Sequence, residues 1–74
     1  MRYQICLRAE PEGGFTVIVP SLPGCITWGR NLNHARKMAK DAIGLYLSSL
    51  KKHGDSIPDD SELFTTAVDI SRRG

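Results

Sequence analysis

The chain has 74 residues, so it holds one domain at most, and a domain of that size buries only about 60% of its unfolded surface. Ten Lys and Arg stand against eight Asp and Glu, and the resulting net charge of +2 is too small to announce nucleic acid as a partner. Two cysteines are too few for a disulfide scaffold, and no apolar run approaches the roughly 18 residues that a membrane span needs.

Residues 2–9 alternate, with Tyr3, Ile5 and Leu7 on one face and Arg2, Gln4, Cys6 and Arg8 on the other. That period of two predicts a half-buried strand. Glu10-Pro11-Glu12-Gly13-Gly14 breaks it, and Gly-Gly supplies the positive φ of a hairpin loop. Residues 15–19, Phe-Thr-Val-Ile-Val, are aromatic and β-branched and predict a second strand. Pro20 ends it, because proline cannot donate to a sheet ladder. The hinge that follows, Pro20, Ser21, Leu22, Pro23, Gly24 and Cys25, separates this hairpin from a short third strand at residues 25–28. Gly29 closes that strand, and its last residue, Trp28, is the one tryptophan in the chain. Buried, it is core; exposed on a sheet edge, it is a binding anchor.

Asn31 is a good helix cap, and apolar residues recur at helical spacing from Leu32 to Leu50. Gly54 suits the residue after the last turn, and Lys51, Lys52 and His53 suit the negative end of the dipole. A helix over 32–53 follows. Its apolar arc is wider than one small sheet can cover. Met38 and Leu45 lie at the margin, as a subunit or partner contact or as ordinary surface exposure. Gly44 stands on the polar face, at a cost of about 1 kcal/mol relative to alanine, with nothing in the sequence to explain it. Residues 63–70, Leu-Phe-Thr-Thr-Ala-Val-Asp-Ile, predict a last strand with Phe64, Thr66, Val68 and Ile70 on one face. The order is β-β-β-α-β, an α+β fold. A right-handed crossover lets the last strand lie parallel to the first, giving a four-stranded mixed sheet of order 3-2-1-4 with one helix on one face.

The segment Pro20-Ser21-Leu22-Pro23-Gly24-Cys25, Gly29, the helix start near Asn31 and the pairs Ala42-Ile43 and Tyr46-Leu47 together resemble the HicB antitoxin family. The resemblance spans residues 2–70 and treats 1–74 as a single HicB-like domain. It implies a partial RNase H-like fold. It also implies a partner, a small HicA-type toxin that cleaves mRNA and is silenced by protein–protein contact. The chain departs from the pattern in two places. Many relatives carry a further DNA-binding domain, for which 74 residues leave no room, so direct DNA binding is not expected. Relatives also open the helix with glutamates, where this chain has Asn33 and His34 in a basic helix.

Nuclease chemistry of the RNase H type needs carboxylates gathered around two cations roughly 4 Å apart. The first strand offers no acid, and Glu10, Asp41 and Asp69 are scattered along the chain. His34 and His53 stand at opposite ends of the helix, too far apart to share a metal. No catalytic, metal or cofactor site is therefore expected. The residues expected to meet a partner are Thr27, Trp28 and Arg30 at the sheet edge and Met38 and Leu45 on the helix margin. The competing reading is an orphan module of the same fold that binds other proteins or nucleic acid. The sequence opens Met1-Arg2-Tyr3 without an apolar leader, so a cytoplasmic chain with reduced thiols is expected. With no staple available, so marginal a core predicts self-association into a dimer or larger.

Overall fold

A computed structural model describes residues 1–72. Cys6–Ala9 (β1), Phe15–Ile18 (β2) and Ile26–Gly29 (β3) form an antiparallel meander in the order β1-β2-β3. Leu32–Lys52 (α1) covers one face of it. The first turn closes with hydrogen bonds from the Glu10 amide to the Gly14 carbonyl and from the Gly13 amide to the Glu10 carbonyl, both 2.9 Å. Gly13 and Gly14 take φ of 109° and 78°, which side-chain-bearing residues rarely adopt. Thr16 Oγ1 donates to the Glu10 carboxylate and ties the loop back to β2.

The hinge is two turns in series. The Leu22 amide donates to the Val19 carbonyl at 3.0 Å, and the Cys25 amide to the Leu22 carbonyl at 2.9 Å. Pro20 and Pro23 each take the second position, where a fixed φ helps the turn, and Gly24 takes the left-handed third position at φ 81°. A third bond, from the Val19 amide to the Cys25 carbonyl at 3.1 Å, closes the loop on itself. This folding drives Leu22 completely into the interior beside Val19 and Cys25. Tyr46 of α1 locks the outside of the loop by donating its hydroxyl to the Pro23 carbonyl at 2.7 Å.

The helix starts where Asn31 Oδ1 accepts from the His34 amide at 2.8 Å. It ends in a Schellman turn, with the Asp55 amide on the Leu50 carbonyl (2.9 Å), the Gly54 amide on the Lys51 carbonyl (3.1 Å) and Gly54 at φ 72°. Near its start α1 packs close to the sheet through small residues, with Val17, Ala35 and Ala39 forming one buried cluster. Further along, Ala42, Ile43, Tyr46 and Leu47 pack on the second cluster of Val19, Leu22 and Cys25. Gly44 faces open space, so Gly44→Ala is expected to stabilise the protein by about 1 kcal/mol and raise Tm by roughly 4–8 °C. A thermal melt that is unchanged or lower would show that Gly44 has a structural role.

Among the described residues the fourth strand and the mixed sheet of order 3-2-1-4 are not present. The sheet has three strands, all antiparallel. The chain after α1 does return to the start of the sheet. Tyr3 donates its hydroxyl to the Pro58 carbonyl (2.5 Å), and Asp60 accepts from the Gln4 amide (2.5 Å) and Ser21 Oγ (2.6 Å). Burial, with Asp59 and Asp60 beside it, raises the Tyr3 phenol pKa, and Ser61 hydrogen bonds hold the Asp59 carboxyl below its ordinary range. After a turn closed by the Leu63 amide on the Asp60 carbonyl at 3.0 Å, the chain runs out without joining the ladder. The first strand is also shorter than expected, 6–9 instead of 2–9. An alternating pattern favours an extended chain, but it does not choose the edge that the chain pairs with.

Candidate partner interface

Antiparallel register sorts the strand residues onto two faces. Leu7, Val17 and Thr27 stand in one row, and Ala9, Phe15 and Gly29 in another. Val17 lies in the buried cluster with Ala35 and Ala39, so this face points at α1. The opposite face carries the rows Cys6, Ile18, Ile26 and Arg8, Thr16, Trp28. No helix covers it among the described residues, yet Ile18, Ile26 and Trp28 are exposed large apolar residues, Ile26 at 61% and Trp28 at 48%. The Trp28 indole lies flat on the first turn: a Cβ at Gly14 would fall 2.2 Å from its Cζ2. Glycine there holds the ring in place while leaving about half of its surface in water.

The outer edge of β3 continues this surface. Among the described residues β3 pairs only with β2, so its other edge has no ladder partner there. Beside it runs a shallow groove of about 350 Å³ lined by Gly24, Cys25, Ile26, Ala42, Leu45 and Tyr46. Leu45 projects from α1 at 75% exposure. Of the residues expected to meet a partner, Leu45 lines this groove. Among the others, Trp28 lies on the open face and Thr27 on the α1 side, half-buried. Arg30 is exposed beyond β3, its amide donating to His34 Nδ1 at 2.9 Å. Met38 is half-buried on α1 and does not line the groove. The hinge residues Pro20, Leu22, Pro23, Gly24 and Cys25 build the floor and end of this surface rather than its face. Sequence reasoning missed Ile18 and Ile26. Ile18 alternates out of phase with Phe15, Val17 and Val19, which was the available signal, whereas the short run around Ile26 offered none.

The described residues hold no group of three or more His, Cys, Asp or Glu positioned for a metal ion. Glu10 is engaged with Thr16, Asp41 is exposed on α1 and Asp69 lies in the extended segment after the helix. Burial pushes the Cys25 thiol up, while Cys6 is exposed on the open face. One thiol per chain, Cys6, is therefore expected to react quickly with a disulfide reagent under native conditions, and Cys25 only on unfolding. Two fast thiols would contradict the packing of the hinge.

The arrangement defines a small α+β module that presents an apolar surface and an unpaired strand edge. No helix among the described residues is long and apolar enough to cross a membrane. Residues 3–71 match the family described as the HicB-like antitoxin of bacterial toxin–antitoxin systems, and the chain belongs to that family. It is 41% identical over 61 residues to a UPF0150 protein of Thermoplasma acidophilum, covering 82% of this chain and 88% of that protein. A UPF0150 protein of Archaeoglobus fulgidus is 38% identical over 55 residues, covering 74% and 80% of the two chains. Antitoxin HicB of Escherichia coli K12 is 40% identical over 43 residues, covering 58% of this chain but only 31% of the antitoxin.

Proposed function

We propose that this chain is a cytoplasmic, non-enzymatic antitoxin module that binds a small HicA-type mRNA-cleaving toxin and silences it by protein–protein contact. Residues 1–74 act as one module in this role. The carrying observation is the exposure of Ile26 and Trp28 on the open sheet face and of Leu45 across the groove from Ile26, beside an edge of β3 that has no ladder partner among the described residues, in a member of the HicB-like family. A half-exposed tryptophan seated on a rigid turn is the kind of anchor that dominates binding energy at protein interfaces. The edge of β3 offers backbone groups to a partner strand, and the Leu45 groove offers a pocket for an alternate side chain. Thr27 and Arg30 lie next to this contact and Met38 lies outside it.

The test is inhibition of a HicA-type RNase by the purified chain in an mRNA-cleavage assay. Cleavage is expected to fall to zero as the chain approaches stoichiometry with the toxin. Undiminished cleavage at a large excess of well-folded chain would overturn the reading.

A further inference from the structure

Beyond toxin binding, the segment that leaves the sheet has its own unmet chemistry. From Phe64 to Arg72 it is exposed and extended, with no backbone hydrogen bond to the sheet among the described residues. Phe64, Val68 and Ile70 share one face of it and are 87%, 77% and 76% exposed. A chain of this length packed compactly has a radius of gyration of about 11 Å. The observed value is 14.9 Å, with a longest extent of 53 Å. An apolar stripe held out in water on an extended arm is a strand without its sheet.

The matching vacancy lies at the other side of the molecule from the β3 groove. Among the described residues the outer edge of β1 has no ladder partner, and all of Cys6–Ala9 is exposed. α1 packs chiefly against β3 and, less, against β2, and no residue of β1 is buried. A groove of about 650 Å³ opens there between residues 1–5 and the helix, with Tyr3, Ile5, Ala39 and Ile43 on its floor and Arg36 and Lys40 among its lining. Residues 63–70 extend about 26 Å at roughly 3.3 Å per residue, the same reach as residues 2–9 along that edge. Asp69 of the arm opposes the sign of Arg36 and Lys40 in that lining.

We infer that residues 63–70 of one copy dock along the outer edge of β1 in a second copy, and that the two copies exchange arms reciprocally. The hydrogen bonds of Asp60 fix the root of the arm beside residue 4 of its own chain, and beyond that root no backbone hydrogen bond joins the arm to its own sheet among the described residues. A second copy related by a two-fold axis satisfies both arms and both β1 edges at once, and the assembly closes at two chains. Each chain's own sheet keeps three strands. The pairing places Phe64, Val68 and Ile70 over the floor residues of the partner's groove, and it leaves the Ile26, Trp28 and Leu45 surface free.

Sedimentation equilibrium of the full chain tests this, together with amide hydrogen exchange. The expected mass is twice the 8.2 kDa of one chain, with slowed exchange at residues 63–70. The double variant Phe64→Asp, Val68→Asp is expected to sediment at the single-chain mass with an unchanged circular dichroism spectrum, because both side chains lie outside the core. A wild-type chain that stays at single-chain mass at high concentration would overturn the inference. So would a two-chain mass that survives the double variant, or fast exchange at 63–70 in the wild-type dimer. The exchange measurement needs no variant, so it decides the matter even where the substitutions reduce yield.

Discussion

Gly29→Ala is expected to cost the protein about 3 kcal/mol and lower Tm by roughly 15 °C. Gly29 is buried at the end of β3, where the first turn of α1 crosses it. A Cβ placed there would stand 2.3 Å from both the Cα and the N of Ala35, and 2.8 Å from its Cβ. The obstacle is mostly backbone, so no rotamer change relieves it. The helix must lift away, and that opens the cluster of Val17, Ala35 and Ala39. A domain of this size has only about 4–11 kcal/mol in total, so the loss is a large fraction of it. Chemical denaturation reads the effect, with Gly44→Ala as a control of opposite sign. A midpoint for Gly29→Ala equal to that of the wild type would mean that β3 and α1 do not approach this closely in solution.

Trp28→Ala is expected to weaken toxin binding by about 2–4 kcal/mol, about 30- to 1000-fold in Kd. The indole is fixed against Gly14 on one side and open on the other, so little conformational freedom is lost when a partner covers it. Ile26→Glu separates binding from folding more cleanly. Its side chain is on the free face and in the Leu45 groove, outside both buried clusters, so the fold is expected to change by less than about 0.5 kcal/mol. A carboxylate there is desolvated by any apolar partner and is expected to lower affinity at least as far. Affinity unchanged in both variants would place the contact elsewhere on the molecule.

The parts of the fold that were legible in the sequence are those set by local chemistry. Gly13-Gly14, the Pro20 to Cys25 hinge, the Asn31 cap and Gly54 each impose a backbone geometry within a few residues, and each bounds its element closely. The last strand was not legible in this way. Phe64, Thr66, Val68 and Ile70 alternate as a strand does, but pairing is a long-range choice, and after the turn at Asp60 the segment makes no ladder with the sheet among the described residues. The open sheet face was hidden for a different reason. In Phe-Thr-Val-Ile-Val the phase opposite Phe15, Val17 and Val19 holds only Thr16 and Ile18, and one apolar residue beside a threonine marks an apolar face weakly. The role of Gly29 required the helix crossing itself: the sequence marks it as the end of a strand, while its contact is with Ala35, six residues on and in another element.

The most direct test is titration calorimetry of the full chain against a HicA-type toxin, run in parallel with Ile26→Glu. Saturable binding by the wild-type chain, greatly weakened in a variant that remains folded, is the predicted result. Absence of binding by the folded wild-type chain, or equal affinity in the variant, would contradict an antitoxin that docks through the free side of β3.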